Sequence, residues 1–170
     1  NILNWALIND EKEFGITVHF VDEGIDTGDI ILQETFSITD HDNYNTLLNT
    51  AYSGCADILH KALVQIAKND YSRINQETIH PIGFYCGARS EGDEIINWKD
   101  SSRNIFNFIR AVCKPGPMAR TKNGSENIFI NRAKYIENAP NYIGTPGQVL
   151  MKTKKGFLVK TNDSFIEIFE

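Results

Sequence analysis

The chain of 170 residues is 41% hydrophobic and 23% charged, a composition typical of one globular domain or two small ones. It has no run of 18 apolar residues and no signal-peptide pattern, which argues against a membrane or secreted protein and predicts a cytoplasmic one. Residues 1–72 hold 3 Lys and Arg against 12 Asp and Glu, whereas residues 73–170 hold 14 against 10. This asymmetry predicts two domains, 1–72 and 73–170, and the weak positive excess of the second falls short of a dense nucleic-acid-binding patch.

The three cysteines, Cys55, Cys86 and Cys113, are an odd number without CxxC spacing. That pattern argues against a disulfide framework or a zinc site, so all three are predicted to be buried structural thiols in a reducing compartment.

The opening segment "NILNWALIND" has the pattern of a helix end. Apolar residues at positions 2, 3, 6 and 7 follow the helical period, and Asn9-Asp10 is a polar stop. Because the helix lacks a beginning and Asn1 is not a start methionine, we expect the chain to be the C-terminal piece of a longer protein.

Two strands are predicted next, with an acidic loop between them. "ITVHFV" (16–21) alternates with the period of a strand, and the run in "IILQETF" (30–36) predicts burial on both faces, as in an α/β sheet. The loop "DEGIDTGD" contains four carboxylates and two glycines, Gly24 and Gly28, which are predicted to permit positive φ angles.

The acidic loop admits more than one interpretation. An EF-hand calcium site is excluded, because the glycine and the final glutamate of that motif are absent at the required spacing. The acids could be solvated loop residues. Alternatively, a loop between strand ends is a usual place for a ligand site, where one partly buried carboxylate with a raised pKa would suit acid–base chemistry. His19 could be structural, or it could approach Asp26, seven residues further on.

The remaining elements alternate between clear helices and short strands. A helix starting at a cap on Asp40 or Asp42 is predicted to reach Lys68, with an apolar stripe at Leu47, Leu48, Ala51, Cys55, Ile58, Leu59, Ala62 and Ile66. A second helix is predicted over 100–114, capped by Asp100 or Ser101, with Ile105, Phe106, Ile109, Val112 and Cys113 pointing inward. The stretch 71–89 lacks a period and is predicted to be the crossing into the second domain. Strands are predicted at 127–133, 147–153, 156–161 and 164–169, a spacing typical of a small β-barrel or sandwich.

The first quarter of the chain resembles the folate-dependent formyltransferase family. The segment "WALINDEKEFGITVHFVDEGIDTGDIILQ" contains an apolar helix end, an E-x-G-[IV]-T-x-H strand and a D-x-G-x-D-x-G loop. In this chain these motifs are Glu13, Gly15, Ile16, Thr17 and His19, followed by Asp22, Gly24, Asp26 and Gly28. The segments "GARSEGDEIINWKDSSRNIFNFIRAVCKPGPMA" and "PGQVL" resemble the second domain of the two-domain members.

The resemblance implies a fold, a co-substrate and a site. The fold is α/β: the C-terminal part of a Rossmann-like formyltransferase domain followed by a small, β-rich, OB-like domain. The co-substrate is N10-formyltetrahydrofolate, with no metal. Asp26 occupies the catalytic Asp position, and the family's Asn-x-His pair is absent from the chain and expected before residue 1, so this fragment alone is expected to be inactive. Folate contacts are implied at Val21, Asp22, Glu23, Gly24, Ile25 and Asp26, with His19, Gly28 and Trp5 as secondary candidates.

Three interpretations of the whole protein follow from the resemblance. The residues within the motifs favour transfer of a formyl group to a nucleotide-linked amino sugar, as in surface-polysaccharide biosynthesis. The enzyme would then be a cytoplasmic homodimer. Methionyl-tRNA formylation is the alternative, which the charge of −9 around the loop disfavours because tRNA binding depends on Lys and Arg. A non-catalytic fragment or assembly module is the third.

Overall fold

The structure is a computed structural model that describes residues 1–79 and 85–170. Three α-helices and eight strands lie in these ranges, together with a short 3-10 helix at Gln76–Thr78. In chain order they are α1 (Ile2–Ile8), β1 (Glu13–His19), β2 (Ile30–Ser37), α2 (Tyr44–Ala67), α3 (Ser102–Val112), β3 (Ala119–Asn123), β4 (Glu126–Ile130), β5 (Arg132–Lys134), β6 (Val149–Lys152), β7 (Phe157–Lys160) and β8 (Phe165–Phe169).

The first half of the chain folds as a β-hairpin covered by helices. Strands β1 and β2 pair antiparallel, from Glu13 opposite Ser37 to Val18 opposite Leu32, with an irregularity at His19. Ile30 and Ile31 are both buried, which confirms the predicted burial of this run on both faces. The predicted strand 16–21 begins three residues earlier and ends before Phe20.

Helix α2 packs on the hairpin through a glycine. A Cβ at Gly54 would lie 2.8 Å from Cδ1 of Ile16 and 2.9 Å from Cζ of Phe36, so any larger residue would force these two side chains to shift. The helix begins after Asn43, whose side chain accepts from the N–H groups of Asn45 and Thr46. The predicted cap at Asp40 or Asp42 is therefore wrong, since the capping box is built on Asn43.

The predicted apolar stripe of α2 is only partly buried. Leu47, Ile58 and Ala62 face the interior, whereas Leu59 is 49% exposed and Cys55 is exposed. Cys86 is exposed as well, so of the three predicted buried thiols only Cys113 is buried. The predicted stripe therefore includes more residues than the face of α2 that contacts β1 and β2.

Helix α3 is the centre of the second half and confirms its prediction. Ser101 caps it by accepting from the N–H of Asn104, and the five residues predicted to point inward are all buried: Ile105, Phe106, Ile109, Val112 and Cys113. The same core includes residues of the first half, Leu7, Ile38 and Leu47. The two halves thus share one hydrophobic core, in which α3 packs against α1.

Two small sheets complete the second half. Strands β5, β8, β7 and β6 form a four-stranded antiparallel sheet in that order, and β3 and β4 form a hairpin. Strand β3 was not predicted, and the predicted strand 127–133 divides at Asn131 into β4 and β5, which join different sheets. The β-rich character of this half is confirmed. Pro81 and Gly83, part of the predicted crossing, lie outside the described residues.

Candidate active-site loop

The acidic loop, Asp22–Asp29, is held at the open end of the β1–β2 hairpin. Pairing continues past β1, since the N–H of Phe20 donates to the carbonyl of Asp29 at 2.9 Å. Both ends of the loop are thereby anchored, while residues 21–27 are exposed and Gly28 is buried. The hairpin therefore presents a charged, anchored loop to the surroundings.

Asp26 and His19 are brought together, as their spacing suggested. His19 Nε2 lies 3.6 Å from Asp26 Oδ1, and His19 Nδ1 lies 2.7 Å from the carbonyl oxygen of Phe20. Because a carbonyl can only accept, Nδ1 carries a proton, and Nε2 bears a second proton only in the imidazolium. In that form His19 would attract the Asp26 carboxylate.

The side chain of Asp26 is 88% exposed, so it is not the partly buried carboxylate that was considered for acid–base chemistry in this loop. It lies at the turn of the loop, and no described element folds over the turn. A carboxylate in this position is open to any molecule that binds against the loop.

Asp22 shapes the loop from within. Its Oδ1 accepts hydrogen bonds from Thr27 Oγ1 at 2.6 Å and from the N–H of Gly24 at 3.0 Å. The bond from Thr27, with that from Gly24, holds the pKa of the Asp22 carboxyl below its usual range. Asp22 is thus an ionised brace of the loop, although its backbone is still available to a ligand.

The glycines act differently from what was predicted. Neither Gly24 nor Gly28 has a positive φ; in the loop that conformation belongs to Asp26, at 56°. Aspartate tolerates left-handed backbone better than most residues because its short side chain can hydrogen-bond locally. Gly28 is required for space instead, since a Cβ there would lie 1.7 Å from the carbonyl oxygen of Phe20.

Apolar side chains flank the turn of the loop. Val21 is 94% exposed and Ile25 is 91% exposed, which is unusual for aliphatic residues in such a polar segment. Glu23 is also exposed. The combination of exposed aliphatic groups, backbone amides and one open carboxylate could bind a flat, heteroaromatic ligand.

The segment after α2 contains residues that the sequence did not single out. Arg73 Nε donates to Asp29 Oδ2 at 3.1 Å, and Gln76 Nε2 donates to the carbonyl oxygens of Asp26 and Gly28. No local pattern connects residues about 50 positions apart, so only a comparison of many related sequences could have marked Gln76 in advance.

Trp5, a secondary candidate, makes a different contact. Its Nε1 donates to the carbonyl oxygen of Gly87 at 3.0 Å, which ties α1 to the chain that leads into the second half. Its predicted place in the site stays a prediction.

Neither a metal site nor a membrane span is found in the parts of the chain that the structure describes. Within 1–79 and 85–170, no three His, Cys, Asp or Glu side chains are grouped so that they could hold a metal ion. Over the same ranges, no helix combines the length and the apolar character needed to cross a bilayer.

Comparison with known proteins places the chain in a family. A model of the formyl transferase domain matches residues 1–67, and a model of the formyl transferase C-terminal domain matches residues 89–170. The methionyl-tRNA formyltransferase of Pelotomaculum thermopropionicum is 36% identical over 168 residues, which cover 99% of this chain and 52% of that protein. The chain belongs to the folate-dependent formyltransferase family.

Two solved structures of sugar N-formyltransferases are also similar. The N-formyltransferase from Helicobacter canadensis, in complex with folinic acid and dTDP-3-aminofucose, has a TM-score of 0.72 at 26% identity over 97% of this chain and 58% of its own. WlaRD, a sugar 3N-formyl transferase with dTDP and 5-N-formyl-THF, has a TM-score of 0.70 at 28% identity over 98% and 58%. The chain thus spans about half the length of the relatives it matches.

Proposed function

We propose that the protein transfers a formyl group from N10-formyltetrahydrofolate to an amine, and that Asp26 is a catalytic residue. The observation that carries the proposal is the open carboxylate of Asp26 beside His19, on an anchored loop in a chain of this family. Because the chain spans about half of its relatives, the proposal concerns the complete gene product.

The chemistry gives Asp26 a defined task. The amine nitrogen attacks the formyl carbon, a new C–N bond forms, and the tetrahedral intermediate collapses as the bond from that carbon to N10 of the folate breaks. The amine must lose a proton and N10 must gain one. Asp26, directly or through a water molecule, accepts the proton of the amine and returns it to N10 as the C–N10 bond breaks. His19 attracts the Asp26 carboxylate when the imidazole is in its imidazolium form.

The folate is proposed to bind along the loop. Val21 and Ile25 would lose their exposed apolar surface against the pterin, and the backbone of residues 21–26 would hydrogen-bond its edge. The similar structures that contain folinic acid or 5-N-formyl-THF support a folate as the ligand.

We propose a nucleotide-linked amino sugar as the acceptor. Even with Asp29 paired to Arg73, the carboxylates of Asp22, Glu23 and Asp26 would repel a large polyanion, whereas a nucleotide sugar carries few charges. The similarity to two sugar N-formyltransferases over nearly the whole chain supports this choice.

Charged initiator tRNA is the second candidate acceptor. It is favoured by the 36% identity with a methionyl-tRNA formyltransferase, which is higher than the identity with either sugar enzyme.

A homodimer of the complete protein stays a prediction, which analytical ultracentrifugation can test.

An assay with both acceptors tests the function. The complete gene product is incubated with N10-formyltetrahydrofolate and either a panel of dTDP-linked 3- and 4-amino sugars or methionyl-tRNA, and formylated product is measured by mass spectrometry. Formylation of a sugar alone supports the preferred acceptor, and formylation of the tRNA alone overturns it. Formylation of neither contradicts formyl transfer to these amines and favours a non-catalytic module.

A further inference from the structure

The acidic loop is braced by a distant segment, Tyr71–Gln76, which follows α2. Ile30 and Ile74 exchange two backbone hydrogen bonds, at 2.8 and 3.0 Å, so the segment joins the edge of β2 like a short extra strand. Phe20 packs its ring against Tyr71, with the centroids 5.7 Å apart. The segment is therefore fixed to β2 and to Phe20, the residue that follows β1, on the two sides of the loop.

Side chains of the segment then reach the loop itself. The Arg73 guanidinium pairs with Asp29 at 3.1 Å and lies over the ring of Phe20, 4.4 Å from its centroid. One of the four loop carboxylates is thus neutralised by an arginine 44 residues away. This pairing lessens the repulsion among the loop acids without touching Asp26.

Gln76 makes the contact closest to Asp26. Its Nε2 carries two N–H groups and donates to the carbonyl oxygen of Asp26 at 2.9 Å and to that of Gly28 at 2.7 Å. These carbonyls stand on either side of Thr27. One half-buried amide therefore closes the backbone turn in which Asp26 holds its left-handed φ of 56°.

We propose that Gln76 is a positioning residue of the formyl-transfer site, acting through the backbone of the acidic loop. A non-glycine residue with positive φ persists only where its surroundings fix it. Gln76 supplies that constraint and so holds the Asp26 carboxylate beside His19. The catalytic role of Gln76 rests on the proposed function, whereas its effect on the mobility of the loop can be measured independently of any activity.

Three substitutions separate hydrogen bonding from space filling. Gln76→Met keeps length and volume but removes both donors, whereas Gln76→Lys restores donors at a similar reach. Gln148→Met is the matched control, because Gln148 is an exposed glutamine in the second half. Amide hydrogen exchange of residues 22–29 is followed by mass spectrometry for each variant of this chain.

Amide exchange of the loop should accelerate in Gln76→Met and stay unchanged in Gln76→Lys. In Gln76→Met both hydrogen bonds are lost, so we expect exchange in residues 22–29 to be at least about 5- to 10-fold faster, the factor for one lost bond, with unchanged exchange in α3. Gln76→Lys and Gln148→Met should match the wild type. Wild-type exchange of the loop in Gln76→Met, or equal acceleration by Met and Lys, would overturn the inference.

A shorter amide covers the case in which Gln76→Met fails to fold. Gln76→Asn keeps the polarity of the site but cannot reach both carbonyls, so its loop should exchange faster while the rest of the chain is unaffected. A Gln76→Asn loop with wild-type exchange counts against the role of Gln76.

Turnover connects the brace to catalysis. In the complete gene product, Gln76→Met should lower kcat by about 10- to 100-fold, because small displacements of a catalytic group are costly, and leave the KM for the acceptor within about twofold. Accelerated loop exchange with unchanged kcat would overturn the positioning role. Absence of turnover in the wild type would instead count against the proposed function.

Discussion

Arg103 on α3 binds Asp10 at the end of α1 through two nitrogens: Nε at 3.1 Å and Nη2 at 2.5 Å from the same oxygen. The same guanidinium donates through Nη1 to Asp40 at 2.7 Å. One side chain of the second half thus holds together two segments of the first, above the shared hydrophobic core.

Replacing Arg103 should loosen this junction. Arg103→Met keeps the apolar stem and removes the hydrogen bonds to Asp10 and Asp40, so we expect a loss of about 1–2 kcal/mol in the free energy of unfolding. Denaturant titration followed by circular dichroism measures it. Arg132→Met, which removes an exposed pair with Glu170, should change stability by less than about 0.5 kcal/mol. Equal losses in both variants would contradict the role of the junction.

Acid should weaken the same junction. Partial burial tends to raise the pKa of Asp10, but hydrogen bonds from Arg103 and Lys12 outweigh it and hold that pKa well below its usual range. A carboxyl with a depressed folded-state pKa stabilises the fold above its unfolded pKa, and this contribution is lost as pH falls below about 4. Thermal unfolding between pH 7 and 2.5 should show the decline.

Asp10→Asn supplies the control for the pH dependence. The variant should be less stable than the wild type at neutral pH, and its stability should fall less steeply below pH 4. Asp57→Asn, at an exposed position on α2, should keep the wild-type slope. A parallel decline in wild type and Asp10→Asn would remove Asp10 from the explanation.

Gly28 should not tolerate a methyl group. The Cβ of Gly28→Ala would overlap the carbonyl oxygen of Phe20, so the loop must move, and we expect a loss of roughly 1–3 kcal/mol in unfolding free energy. In Gly87→Ala the added Cβ meets no atom within 4 Å, which makes it a matched, near-neutral control. Differential scanning calorimetry of both variants decides the point, and a neutral Gly28→Ala would contradict the close approach.

Asp26 should matter for turnover and hardly at all for stability. Asp26→Asn removes the proposed proton acceptor but keeps the shape of an exposed side chain, so kcat of the complete gene product should fall by about 10²- to 10⁴-fold. Its melting temperature should stay within a few degrees of the wild type. Asp57→Asn is again the control, and near-normal turnover of Asp26→Asn would exclude Asp26 from the mechanism.

Local patterns predicted much of the fold. Strand β2, helix α2 and helix α3 were expected close to their observed bounds, because one-sided burial imposes a helical or alternating period on neighbouring residues. Strand β3 was missed because "ARTKN" has no apolar alternation. The width of the α2 stripe was wrong for a related reason: a sequence shows which residues are apolar, while the packing of the hairpin selects which of them are covered.

The candidate site, like the fold, was predictable only in part from the sequence. The sequence by itself determined that an acidic loop joins two strands and that His19 stands close enough along the chain to meet Asp26. The assignment of Asp26 to the family's catalytic position came from the resemblance and stays a prediction. Only the tertiary structure decided that Asp26 is open and left-handed, that Asp29 pairs with Arg73, and that Gln76 holds the loop. These contacts join residues 44 and 50 positions apart, and such pairs depend on the path of the whole chain rather than on any local period.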